Sequence, residues 1–217
     1  MHLLTRQRIT NAMIITTLLG MSLGAVGCDV AGIVGYVIAG PSKENVLAQY
    51  RGLENAHFAV LVSSDENVLF QSPEAPSAIC TAVTRHLASN VPGAIAISPR
   101  KMVKFQEENP YWITTPYDRL LEKINVEKLV IIDVVQYQIH EKGNANVWRG
   151  TAIANVSVAQ RSDSNTLSFS KIVKATYPVG SSIGSVNADE QLFRFALLQN
   201  LTSIIGHLFY DYQIIHE

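Results

Sequence analysis

The sequence predicts an α+β fold with an α/β-like first half. It reads as a mixed sheet of about five strands with helices packed on it, in the order β-α-β-α-α-β-β-β-α. Three observations carry this. Short apolar runs alternate with helix-start signals between residues 56 and 127. Three strand-like stretches joined by polar turns then fill residues 128–177. A long apolar stretch of helical period closes the chain.

Residues 57–63, HFAVLVS, form the first strand. Both of its alternating sets are apolar, so it belongs in the middle of a covered sheet. Residues 64–76 hold Pro73 and Pro76 and read as a loop. Ser77 then caps a helix over 78–89, buried through Ile79, Val83 and Leu87. Residues 94–97 are the second strand. Ser98-Pro99 starts a helix that runs to Glu108 and stops at Asn109-Pro110. Thr115-Pro116, with Asp118 three residues after the threonine, starts another over 116–124. That helix buries Tyr117, Leu120, Leu121 and Ile124.

Lys128 to His140, KLVIIDVVQYQIH, is continuously apolar at first and alternates later. A strand that begins inside the core and ends half-exposed gives that pattern. After the Gly143-Asn144 turn, residues 147–160 place Trp148, Gly150, Ala152, Ala154, Val156 and Val158 on one face. With residues 166–177 these strands make a long antiparallel meander. Residues 178–186 are a loop. Asn187 and Glu190 cap a final helix over 188–212, with a stripe through Leu192, Phe195, Leu198, Leu201, Ile205, Leu208 and Tyr212.

Composition narrows the function classes. The 217 residues carry 17 Lys+Arg against 18 Asp+Glu, a formal net charge of -1, and are 47% hydrophobic but only 16% charged. That apolar content excludes a disordered chain. A pI near 6.6 gives no electrostatic footprint for nucleic acid. Two cysteines cannot build a disulfide scaffold. The mean hydropathy of +0.15 is high, and the excess is local.

Arg6 and Arg8 precede a charge-free run over residues 9–27. A basic end followed by an apolar stretch is the layout of a secretory signal peptide. The run ends in Ala25-Val26-Gly27-Cys28, which resembles a bacterial lipobox. Ala25 stands where that motif usually has Leu. The resemblance implies cleavage before Cys28, diacylation of its thiol, and anchoring by two acyl chains. Residues 1–27 are then signal peptide, 28–55 lipid anchor and tether, and 56–217 a single globular domain. The tether holds a short helix near residues 44–50. Taking Arg6 and Arg8 from the 17 basic residues against 18 acidic leaves a formal charge of -3. The alternative is an uncleaved anchor, since residues 9–27 are long enough to span a bilayer core. Asp29 resembles an inner-membrane retention signal of enterobacteria, and the sequence fits either membrane.

The order of elements, with VEKLVIIDVVQYQ at its centre, resembles a group of envelope domains over residues 56–212. The group comprises the N-terminal domain of the translocation protein TolB, the curli-secretion lipoproteins and the lipoprotein activators of peptidoglycan synthases. Asp133 stands where Gly or Glu is common there. The whole chain also looks like planctomycete lipoproteins, in its apolar N-terminus, its Pro-bearing break and a Tyr-x-x-Leu step, here Tyr50 to Leu53. No activity comes with that resemblance.

Catalytic motifs are sparse. The five histidines beyond the signal region show no HExxH spacing, and there is no CxxC, GxSxG or Walker loop. No metal site and no cofactor are expected. Cys80 and His86 are a thiol and a base six residues apart, but a helix turns them about 240° from one another. Asp133, flanked by Ile131, Ile132, Val134 and Val135, is either a buried general base or a strand residue facing a helix end or an arginine. Tyr111 and Trp112 form a proline-flanked aromatic pair that either binds a partner or covers one end of the core.

The sequence therefore points to a membrane-anchored envelope lipoprotein on the periplasmic side. It acts as a non-catalytic interaction or assembly module with a protein partner, presenting an edge from the two long strands. The alternatives are an oligomeric secretion or pore subunit of the curli type, and an envelope enzyme that uses Asp133.

Overall fold

The computed structural model describes residues 42–141, 143–161, 166–180, 184–185 and 188–216. The signal region, Cys28, residues 29–41, the 162–165 turn and the Asn187 cap lie outside them. The chain divides into two compact units, and the described part of the smaller holds residues 42–45 and 213–216. There β1 (Ser42–Val46) pairs with β7 (Tyr212–His216) in a two-stranded sheet, and Gln213 Nε2 donates to Asn45 Oδ1 at 2.9 Å. The helix expected near residues 44–50 is thus a strand at its start.

The larger unit, Val46–Tyr212, is built on a five-stranded sheet. Its strands are β2 (His57–Ser64), β3 (Ile95–Ala96), β4 (Lys128–Glu141), β5 (Asn144–Gln160) and β6 (Leu167–Tyr177), in spatial order β3-β2-β4-β5-β6. The pairings β2–β3 and β2–β4 are parallel, whereas β4–β5 and β5–β6 are antiparallel. The mixed sheet and the meander match the fold class read from the sequence. The apolar start of β4 is explained by its neighbours. Phe58 to Ser64 flank it on one side and Ala154 to Gln160 on the other, and Leu129, Val130, Ile132 and Val134 are buried within that half.

Among the described residues five helices accompany the sheet: α1 (Glu66–Gln71), α2 (Ala75–Asn90), α3 (Pro99–Glu108), α4 (Tyr117–Ile124) and α5 (Glu190–Gly206). A 3-10 turn covers Trp112–Thr114. The segment read as a loop holds α1, fixed by amides of Val68 and Leu69 on the Asp65 carbonyl. Pro76 lies in the first turn of α2, where a missing N–H costs nothing, so the helix begins before Ser77. Ser77 Oγ donates to the Glu74 carbonyl and does not cap. Ser98 makes no capping bond either, and the start of α3 rests on Pro99.

The last helix departs most from expectation. Asp189, not Asn187, is the N-cap, its Oδ1 accepting from Leu192 N at 2.9 Å. The buried stripe is Phe193, Leu197, Leu201 and Ile205, while Leu192 and Phe195 are 70% and 60% exposed. Apolar residues surround the start of this helix, so period alone does not choose a face. The socket is Gly150 on β5: a side chain there would sit 3.0 Å from Phe193 Cε1 and 3.1 Å from Leu197 Cδ2. The helix stops at Gly206 and does not reach Tyr212. Gly206 backs onto the His86 ring so closely that a Cβ would collide with it.

Candidate functional site

Four regions follow from the sequence reading: the lipid anchor, the Tyr111–Trp112 pair, Asp133 and the long strands. Cys28 lies outside the described residues. The aromatic pair is split by the 3-10 turn. Trp112 is 7% exposed and belongs to the core, whereas Tyr111 is 81% exposed. Trp112 packs into the core beneath the turn from which Tyr111 and Ile113 stand exposed.

Asp133 meets neither a helix end nor an arginine. It is half-buried, and its Oδ1 accepts a 2.9 Å hydrogen bond from Ser63 Oγ on β2. Register sets Ser63, Asp133, Asn155 and Ile172 in one row across four strands. The row continues in polar contacts, with Ser170 Oγ to Asn155 Oδ1 at 3.1 Å and Ser157 Oγ to Ser170 Oγ at 3.2 Å. Ser63 Oγ thus gives the carboxylate a hydroxyl donor from the neighbouring strand.

The two long strands do not present the sheet edge. β4 lies between β2 and β5, and β5 between β4 and β6, so β6 is the outer strand. Lys171 and Lys174 stand exposed on it, a charged edge of the kind that discourages strand addition. Tyr50 Oη contacts Ser168 Oγ at 3.2 Å near one end of it, and Asn200 Nδ2 donates to the Thr176 carbonyl at the other.

The sequence reading missed two clefts, because both form between elements remote in the chain. The first, about 440 Å³, opens where β4 outruns β2 and is walled by Tyr137, His140, Glu141, Glu190 and Arg194. The Arg194 guanidinium is held by neighbours: Nη1 donates to Ser72 Oγ at 2.7 Å, Nε to Glu190 Oε1 at 2.8 Å, and Glu74 lies 3.6 Å away. Tyr137 Oη donates to the Arg194 carbonyl, and burial pushes its phenol up to about 12. It stays a neutral donor at physiological pH. The His140 ring lies 4.3 Å from that of Trp148, and its Nδ1 is buried without a partner.

The second is a groove of about 620 Å³ between α2 and α5. One wall is Ala78, Thr81 and Ala82, and the other is Phe195, Leu198 and Thr202. At one end His86 Nε2 and Tyr210 Oη are 2.8 Å apart. His207 stacks flat on Tyr212 at 3.6 Å. Cys80 points the other way, its thiol toward the Val60 carbonyl at 3.4 Å, and burial raises it to about 11. The geometry keeps it from His86, as the helical spacing requires. Among the described residues no group of three or more His, Cys, Asp or Glu is placed to hold a metal ion, and no helix is long and apolar enough to cross a membrane.

The sequence matches no family model and no curated protein. Several solved structures resemble the fold. A PelC dodecamer from Paraburkholderia phytofirmans aligns at 9% identity and TM-score 0.47, covering 78% of this chain and 97% of that one. Lipoprotein GNA1162 from Neisseria meningitidis aligns at 13% and 0.39, covering 70% and 99%. The hypothetical protein CT253 from Chlamydia trachomatis gives 16% and 0.40, covering 69% and 95%. Values this low leave the reading of function to the chain's own residues.

Proposed function

We propose that this chain is a lipid-anchored envelope protein, facing the periplasm, that works by holding another envelope component and not by catalysis. One observation carries the address: Cys28 stands directly after small residues at the end of a charge-free run that Arg6 and Arg8 precede. Two acyl chains on that thiol anchor a protein stably where one does so marginally.

The non-catalytic part of the reading is supported by how the reactive groups are engaged. Asp133 is a rung of a hydroxyl ladder. The Cys80 thiol and the Tyr137 phenol are pushed up, away from their reactive anions. Arg194 is paired with Ser72, Glu74 and Glu190. What the surface offers is shape, including Tyr111 on a turn pinned by a buried tryptophan, a rigid aromatic anchor of the sort that dominates contact energies.

The test is metabolic labelling with an alkynyl fatty acid in a host that processes lipoproteins. The wild type should take the label and partition into membranes, and Cys28→Ser should do neither. Equal labelling of both would overturn the anchor.

A further inference from the structure

The groove between α2 and α5 has a feature that a mere surface furrow lacks: both halves of a contact lie on the same chain. The helices run side by side with their N-termini together, since Arg194 reaches Glu74 at one end and Gly206 backs onto His86 at the other. On α2 the outward stripe is Ala78, Thr81 and Ala82, a shallow socket. On α5 the outward stripe is Leu192, Phe195 and Gln199, and its two apolar members are among the most exposed large side chains of the protein. These positions recur at heptad spacing, the repeat by which one helix face meets another. Thr202 lies in the groove wall, is 3% exposed, and keeps a buried hydroxyl with no partner. A buried donor left unmade costs stability until something supplies its bond.

Charge follows the same layout. Glu74, Asp189 and Glu190 gather at the N-terminal end of the pair, against Arg194 alone, and Arg85 stands in the groove toward the other end.

We propose that this face is the docking surface for a second copy of this chain, the two α2–α5 pairs meeting antiparallel about a two-fold axis near Thr81 and Gln199. In that arrangement Phe195 of each copy packs against Ala82 and the stem of Arg85 on the other, at the end of its alanine socket. Arg85 of each meets the acidic end of the other, and the helix dipoles oppose favourably. Gln199 brings an amide toward the Thr202 hydroxyl. A contact whose knob, socket, acid and base all lie on one patch is self-complementary, which is the requirement for a closed two-fold pair. The surface does not depend on the lipid anchor.

Sedimentation equilibrium of the full chain in density-matched detergent tests this, using both the wild type and Cys28→Ser so that loss of the anchor and loss of the pair are told apart. Both should be dimers. Phe195→Glu, at a solvent-exposed site, should melt like the parent and weaken the dimer at least tenfold. In the Cys28→Ser background, Thr81→Cys should form a disulfide-linked dimer on mild oxidation, while Leu69→Cys on α1 should not. A monomeric parent at about 100 μM, well above the dissociation constant of a specific pair, would overturn the proposal. So would a dimer indifferent to Phe195→Glu, or a Thr81→Cys that stays uncrosslinked. If Phe195→Glu instead abolishes sedimentation with phosphatidylcholine vesicles while leaving the mass unchanged, the face meets lipid and the pair is refuted.

Discussion

Ser63 Oγ donates to Asp133 Oδ1 at 2.9 Å, and the two are register partners on adjacent parallel strands. The bond places the carboxylate in a strand ladder, where its role is to satisfy neighbours. Asp133→Asn keeps an acceptor oxygen at that point, so its stability should stay within about 1 kcal/mol of the parent, the scale of one half-exposed hydrogen bond. Urea denaturation measures this. A loss several times larger would mean that the charge itself is needed.

The stripe of α5 is tested by two leucines five residues apart. Leu197 is fully buried against Gly150, and Leu197→Ala should cost about 2–5 kcal/mol. Leu192→Ala, on the exposed side, should change stability by no more than about 0.5 kcal/mol. Equal costs would mean that the helix is rotated from the face described.

Gly206→Ala tests how α5 ends. The added methyl collides with the His86 ring, which must turn and give up its contact with Tyr210. Overpacking of this kind costs about 1–3 kcal/mol. The melt should fall, and His86→Ala should suppress most of the difference between Gly and Ala at position 206.

The same histidine makes stability depend on pH. Burial holds His86 and His207 below the ordinary imidazole value of 6.5, and His86 adds to the cost of charging His207. Tyr210, Tyr212, Ser203 and Arg85 are the polar groups around them. The unfolded chain binds these protons more readily than the folded one, so stability is full above about pH 6.5 and declines as pH falls toward the lowered folded values. The melting temperature should drop between pH 7 and pH 5, and His86→Gln should flatten part of that slope. A slope unchanged in the variant would place the titration elsewhere.

Cys80 should be silent. With Cys28→Ser, the remaining thiol should resist iodoacetamide at pH 8 in the folded protein and react in urea, because burial raises it to about 11. Rapid native labelling would contradict its placement against Val60.

What the sequence could show depended on whether a signal was local. The strand at 57–63, the helix starting at Pro99 and the long meander were legible, because apolar period and proline placement act within a few residues. The face of α5 was not, since Leu192, Phe193, Phe195 and Leu197 all look alike until Gly150, far back in the chain on β5, provides the socket. Tyr111 and Trp112 looked like a matched pair for the same reason; burial, which separates them, is a property of the packed core. The helix read over 188–212 stops at Gly206, and the strand at 212–216 leaves no local signal because its pairing partner lies at the other end of the chain. Both clefts depend on contacts of that range.

Asp211 is drawn to the incoming chain twice. It accepts from Ala48 N at 2.8 Å and from Arg51 Nη2 at 2.6 Å, which holds its carboxyl below the usual range through the Ala48 amide first and Arg51 second. This clasp joins the segment that leads in from the N-terminus to the one that leads out after α5. Load entering Val46–Tyr212 at its first residues is therefore passed across to Asp211 at its far end as well as along the chain, so the sheet between is not peeled from one side alone.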